Sequence, residues 1–207
     1  MNELNKSTKR FPVTVMTALM IIFTVFSAGN IYAQDSLADS KKNNVYLGYS
    51  VDLFPVAISA ADGKFGYAFQ TWLGIDHVKV RLVGARTHVP EFFLSDGFKN
   101  HNLTVGALIV DYVFGEDMSG FWIGSGMELW VNEIGHKDTA EKTRWTNGIL
   151  TLGGGYIWKI AGNLYVNPWV GGHFMMNNHS LSLAGKSYTP ARFSASVSVK
   201  IGYFFDI

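Results

Sequence analysis

The sequence predicts an all-β fold, an eight-stranded antiparallel up-and-down barrel that spans a membrane, and three observations predict it. Eight stretches read as strands, and seven of them alternate apolar and polar residues with a period of two. The connections between them are short at one end and long at the other. The chain is 48% hydrophobic and only 16% charged, yet beyond its N-terminus no uncharged run is long enough for a membrane helix. Strands produce that combination, because each spreads its apolar half along one face.

The N-terminus is a separate unit. Lys6, Lys9 and Arg10 make a positive start, Val13 to Ala28 carries no charge, and Ala33 places a small residue before a polar one. These are the three parts of a secretory signal peptide cleaved after Ala33, so residues 1–33 are read as leader and 34–207 as the barrel domain. A retained membrane anchor is the competing reading, but the uncharged stretch is short for a span and ends in small and polar residues. Without cysteine there is neither a lipidated N-terminal Cys nor a disulfide framework. The leader takes three of the 17 basic and one of the 16 acidic residues, leaving 14 against 15 on a mature chain of 174. A net charge of −1 excludes a nucleic-acid partner.

The strands follow in order. From Asn44, NVYLGYSVDL sets Val45, Leu47, Tyr49, Val51 and Leu53 against Tyr46, Gly48, Ser50 and Asp52. KFGYAFQTWL opposes Phe65, Tyr67, Phe69 and Leu73 to Gly66, Ala68 and Gln70, and HVKVRLVGA opposes Val78, Val80 and Leu82 to Lys79 and Arg81. Leu103 to Phe114 is apolar on both faces, a strand of undetermined phase. FWIGSGMELWVN sets Phe121, Ile123, Met127, Leu129 and Val131 against Trp122, Gly124, Glu128 and Trp130. NGILTLGGGYIWKI sets Leu150, Leu152, Tyr156 and Trp158 against Thr151, Gly153 and Gly155. LYVNPWVGGHF sets Leu164, Val166, Val170 and Phe174 against Asn167, Gly171 and His173, with a bulge expected at Pro168 because proline cannot donate to a ladder. The last strand, FSASVSVKIGYFFDI, sets Phe193, Ala195, Val197, Val199, Ile201, Tyr203 and Phe205 against Ser194, Ser196, Ser198, Lys200 and Gly202.

Connections at Gly74–Ile75, Gly115–Gly120 and Ala161–Asn163 are tight, whereas those at Pro90–His101, Gly135–Arg144 and Asn177–Arg192 are long and polar. Ala60–Gly63 is a short exception among the outer ones. Phe114, Phe121, Trp158, Tyr203 and Phe205 fall near the short-turn end on the outer faces, and Phe65, Tyr67, Phe174 and Phe193 near the other. Two aromatic girdles are what the interfaces of a bilayer select. The last strand must close on the first, since an open edge in lipid leaves backbone groups unpaired at several kcal/mol each.

With its leader, its strands and the terminal VKIGYFFDI, the chain resembles the small outer-membrane β-barrel proteins of Gram-negative bacteria. The resemblance is architectural and carries no function-bearing motif. It implies a monomeric, porin-like protein of the cell outer membrane, with lipid and lipopolysaccharide around it. It also implies that Tyr203 and Phe205 form the signal read by the barrel-assembly machinery, although Asp206 and Ile207 follow them.

An eight-stranded barrel has room inside only for side chains or one small ligand. Its inner faces carry Asp52, Gln70, Lys79, Arg81, Glu128, Asn167, His173 and Lys200, an interior polar network or ligand lining in which Asp52 and Lys200 lie at similar heights on the closing strands. Salt-bridged filling of the interior is the ordinary role of such groups; a ligand or proton path is the sharper one. Phe92, Phe93 and Leu94 place apolar side chains in an outer loop, to meet lipid, cover the mouth, touch a partner or pack on the rim.

No residue pattern assigns a catalytic, cofactor or metal role. The histidines show no metal-site spacing with a carboxylate. Gly153–Gly155 lacks the Lys-Ser/Thr and helix of a phosphate loop, and adjacent His179 and Ser180 would point to opposite faces of a strand. The function expected is structural, or the binding or passage of a small apolar molecule. The alternatives are a lipid A-modifying deacylase or acyltransferase, which needs a sheltered Ser–His–acid cluster, and adhesion through the outer loops.

Overall fold

The alternation resolves into a closed sheet. The computed structural model describes residues 44–177 and 180–207; the leader and His179 lie outside the described residues. The elements are β1 (Val45–Asp52), α1 (Phe54–Ala60), β2 (Tyr67–Ile75), β3 (Val78–Val89), a 3-10 turn (Glu91–Phe93), β4 (Phe98–Val113), β5 (Gly120–His136), β6 (Lys142–Ala161), β7 (Leu164–Met175), β8 (Leu181–Leu183), β9 (Lys186–Tyr188) and β10 (Phe193–Asp206). Eight of these strands form a closed barrel in the order β1-β10-β7-β6-β5-β4-β3-β2, and β8–β9 is a separate hairpin in the last long loop. Every neighbouring pair is antiparallel, including the closing seam from Tyr46–Asp206 to Asp52–Lys200.

The barrel is inside out relative to a water-soluble one. Leu82, Ile123, Leu152, Val170 and Val197 are exposed on its outer wall, and Lys79, Arg81, Asp111, Glu128 and Lys200 are buried within it. An apolar outside around a polar inside is the arrangement of a strand barrel that crosses a bilayer. Phe114, Phe121, Trp158 and Phe205 are exposed on the outer wall toward the short turns, and Tyr67, Phe174 and Phe193 toward the long loops. Tight turns are eased by left-handed residues, among them Asp76 at φ 52° and Gly162 at φ 53°.

The structure fixes the phase of β4: Ile109, Asp111 and Val113 are buried inside while Leu108 and Tyr112 are exposed outside. It also corrects two expectations. The bulge expected at Pro168 lies elsewhere: Pro168 stays in register with Val199 of β10, and the β6–β7 register shifts between Lys159 and Ala161. Proline removes one donor without adding a residue, so the ladder is interrupted opposite it and not displaced. The connection after β1 is not a short turn. Leu53, expected on the outer face of the strand, is instead the N-cap position of α1, with Pro55 in its first turn, where the missing N–H costs nothing.

The interior is filled in layers. Tyr46, Trp72, Val113, Met118, Trp122, Ile157, Tyr165 and Phe204 pack together at the short-turn end. This aromatic plug fills the barrel interior there. At the outer end Phe98, Ile134 and Leu183 are buried with Leu94, Trp145 and Tyr188 packed against them, so the β8–β9 hairpin caps the long strands.

Candidate functional site

Between the plug and the outer cap lies a cavity of about 580 Å³, within the range of roughly 300–1,000 Å³ typical of small-molecule sites. Its walls differ in chemistry. On the β3–β4 side the lining is Val83, Ala85, Leu103, Val105, Ala107 and Ile109; on the β5-to-β10 side it is Glu128, Thr151, His173, Ser196 and Lys200. That apolar inner wall is why β4 reads as apolar on both faces.

A charged layer forms the floor. Asp111 accepts from Arg81 Nε at 2.6 Å and Nη2 at 2.9 Å, and pairs with Lys79 Nζ at 3.1 Å. Arg81 Nη1 donates to Gln70 Oε1 at 2.8 Å, and Gln70 Nε2 donates to Ser50 Oγ. Trp122 lies beneath, its ring 5.3 Å from Lys79 Nζ and 5.2 Å from the Arg81 guanidinium carbon, and its Nε1 donates to Asn167 Oδ1 at 3.0 Å. The paired carboxylate that serves both cations is thus Asp111, which could not be assigned to the interior until the phase of β4 was known.

Asp52 and Lys200 are cross-strand partners at the seam, as expected. Asp52, however, accepts from Trp169 Nε1 at 2.9 Å, from the Phe54 backbone N–H at 3.0 Å and from Ser198 Oγ. Lys200 sits 4.3 Å over the Trp169 ring, and among the described residues no ion pair reaches it.

Higher in the same wall a second cluster crosses four strands. Ser196 Oγ is 3.0 Å from His173 Nε2, and His173 Nδ1 is 2.9 Å from Thr151 Oγ1 and 3.4 Å from Glu128 Oε1. The Thr151 hydroxyl donates to Glu128 Oε1 at 2.6 Å and Trp130 Nε1 donates to Glu128 Oε2. Thr151 has one hydroxyl proton and gives it to Glu128, so it accepts from His173 Nδ1–H, which leaves Nε2 to accept from Ser196. Glu128 and His173 were legible as inward residues; Ser196 and Thr151 become their partners only through the register of β10–β7 and β6–β7.

Beside the cavity the barrel wall is interrupted. The β1–β10 ladder ends at Asp52–Lys200 and β1–β2 at Val51–Phe69, because β1 leaves the wall there, the Leu53 N–H making a last bond to the Val199 carbonyl at 3.1 Å. One strand is missing between β2 and the outer half of β10, a width of two strand spacings, about 9–10 Å. Phe69 and Val197, exposed on the outer face at either side of this gap, both border the cavity. The helix α1 also borders the cavity, with Phe54, Pro55 and Ile58, and is tied to β3 by the His88 N–H to Ser59 Oγ bond at 2.9 Å.

Of the outer-loop apolar residues, Leu94 packs into the outer cap, whereas Phe92 and Phe93 are exposed and in mutual contact, with centroids 4.4 Å apart. Phe93 also reaches the cavity mouth. Tyr203 and Phe205 stack edge to face on the outer wall, 5.0 Å between centroids. Above the cavity a ladder of amides links His101 Nε2, donating to Asn132 Oδ1 at 3.0 Å, through Asn132 Nδ2 to Asn147 Oδ1 at 3.1 Å and Asn147 Nδ2 to the Asn177 carbonyl at 2.7 Å. His101 stacks on Trp145, and burial holds its imidazole below the ordinary value.

No family model matches the chain, and no curated protein does. Among solved structures, the N-terminal β-barrel domain of Pseudomonas aeruginosa OprF aligns over 79% of this chain and 98% of its own, at 14% identity and a TM-score of 0.48. Neisserial surface protein A aligns over 78% and 94%, at 12% identity and 0.46. A major outer membrane protein from Thermus thermophilus aligns over 79% and 99%, at 10% identity and 0.49.

Proposed function

We propose that this protein is an outer-membrane barrel that takes a small, chain-like apolar molecule from the outer leaflet into its interior. The observation that carries this reading is the shape of the cavity: closed below by the aromatic plug, walled by apolar side chains on β3 and β4, and open at the side where β1 leaves the wall. A molecule that arrives through lipid meets the gap before it meets water. The plug argues for holding the molecule over free passage to the periplasmic side.

The test uses the barrel refolded in detergent and the uncharged probe 1-N-phenylnaphthylamine. Saturable fluorescence enhancement is expected, and Ala107→Trp, which fills the apolar wall, should weaken binding tenfold or more while the band stays heat-modifiable. Absence of saturable binding, or binding indifferent to Ala107→Trp, would overturn the reading.

A second reading, adhesion through the outer loops, is favoured by one observation: β4, β5 and β6 run 16, 17 and 20 residues, well beyond the roughly 9–11 that a tilted strand needs to span. Phe92→Ser, at an exposed residue outside the cavity lining, should then reduce attachment of whole cells to host-derived surfaces without changing probe binding.

A further inference from the structure

We propose that Ser196, His173 and Glu128 form a nucleophile–base–acid relay, and that the barrel hydrolyses a carboxylic ester whose acyl chain lies along the β3–β4 wall of the cavity. This rests on the reading that the cavity receives an apolar chain. The enzymatic step itself is carried by the side-chain geometry.

The relay has a direction. Ser196 Oγ stands 3.0 Å from His173 Nε2, the reach a general base needs. The opposite nitrogen faces Thr151 at 2.9 Å and Glu128 at 3.4 Å, and because the Thr151 proton goes to Glu128, His173 holds its proton on Nδ1 and presents a lone pair to Ser196. That is the tautomer a hydroxyl nucleophile requires. Glu128 accepts at both oxygens, from Thr151 and Trp130, so its charge is fixed where an imidazolium would develop. A network built only to fill space has no need of this polarity.

The relay also faces room. Ser196, His173, Thr151 and Glu128 all line the cavity, opposite Val105 and Ala107. Three inward serines stand on β10, but Ser198 is engaged by Asp52, whereas Ser196 bonds the imidazole. Backbone geometry adds a donor. Val199 turns its carbonyl toward Leu53, the residue after β1, and alternation along an antiparallel strand turns the Val197 N–H to that same side, where the gap leaves no partner strand. An N–H that faces the gap one residue from the nucleophile is the kind of group that stabilises a developing oxyanion.

In the step, Ser196 Oγ bonds to the ester carbonyl carbon as its proton passes to His173 Nε2. The carbon–oxygen bond to the alcohol breaks and His173 returns the proton to the leaving oxygen. Water, its proton taken by His173 Nε2, then attacks the acyl-serine carbonyl carbon; the bond to Ser196 Oγ breaks, His173 returns the proton to Oγ, and the carboxylic acid leaves.

The experiment treats the refolded, heat-modifiable barrel with a fluorophosphonate probe, locates the adduct by peptide mass spectrometry, and follows hydrolysis of p-nitrophenyl esters from butyrate to laurate. A single adduct on Ser196 is expected, absent in Ser196→Ala, slowed at least a hundredfold in His173→Gln, and unchanged in Ser180→Ala. Hydrolysis should rise with acyl length. A folded barrel that binds 1-N-phenylnaphthylamine but takes no adduct and hydrolyses no faster than Ser196→Ala overturns the relay and leaves the carrier intact. Labelling of Ser196 that survives Ala107→Trp, with no saturable probe binding, upholds the relay and overturns the carrier.

Discussion

Asp52 and Lys200 stand directly opposite each other across the seam that closes the barrel, and they make no ion pair. The carboxylate is turned to Trp169, Ser198 and the start of α1. The amine is left over the Trp169 ring, at the floor of the cavity, buried beside Arg81 and Lys79. Two buried cations of the same layer are therefore held by one carboxylate, and a third is not.

That difference predicts opposite outcomes for two substitutions. Lys200→Met replaces a buried, poorly compensated amine by an apolar side chain of similar length, a change that is often neutral or stabilising. Urea unfolding of the barrel in lipid vesicles should show a midpoint equal to or above that of the parent, by about 1 kcal/mol; a loss of more than that would show that Lys200 is a structural tie.

Asp111→Asn should act the other way. It leaves Lys79 and Arg81 without their carboxylate in a layer where both are buried, and uncompensated buried charge costs on the order of 3–5 kcal/mol. The same unfolding assay reads it, and a midpoint within experimental error of the parent would contradict the assignment of Asp111 as the centre of the layer.

Truncation of the plug should open the barrel. Trp122 separates the charged floor from the short-turn end and Tyr165 packs below it, with Trp72 Nε1 donating to its hydroxyl at 3.1 Å. The parent should be silent in planar bilayers, and Trp122→Ala combined with Tyr165→Ala should give discrete conductance steps. A conducting parent would show that the plug moves.

The strands and their inward faces were legible because alternation survives wherever one face meets lipid and the other does not. It failed at Leu103–Phe114 for a physical reason: Val105, Ala107 and Ile109 line an apolar cavity wall, so both faces are greasy and Asp111 could not be placed. The helix α1 was missed because PVAISA is too short to show a helical period beside a strand of the same composition. Glu128 and His173 were visible as inward side chains, but their junction with Thr151 and Ser196 depends on register between strands, which a single strand's pattern does not encode.

The outer cap should respond to acid. His101 lies on β4 beyond the girdle level, which Tyr67 marks through its pairing with Arg86, itself paired with Thr104, and its Nδ1 and the Nε2 of His136 have no partner among the described residues. Burial lowers the folded value of His101 below its ordinary 6.5, so below that pH the unfolded cap binds more protons and stability falls as pH drops toward the folded value. Trp145, stacked on His101 at 5.7 Å, should report this as a fluorescence change between pH 7 and 5. A profile unchanged in His101→Phe would contradict it.

Phe205→Ser should separate assembly from folding. Phe205 is exposed on the outer wall and contacts Tyr203 and Tyr49 at its surface only, so refolding in detergent should proceed while insertion in cells falls severalfold. Equal insertion of variant and parent would remove Tyr203 and Phe205 as an assembly signal.

The seam has one further consequence, for the order of events in folding. It joins residues 46–52 to residues 200–206 through only seven pairs, whereas β5 and β6 share sixteen between neighbours in sequence. Closing a loop of that span costs the most chain entropy and returns a ladder no longer than that of the β1–β2 hairpin. Hairpins β5–β6 and β4–β5 should therefore form early and β1–β10 last, so that the curled but unclosed sheet is the species that waits, and the rate of its final zipping sets how long its edges stand open to a neighbour.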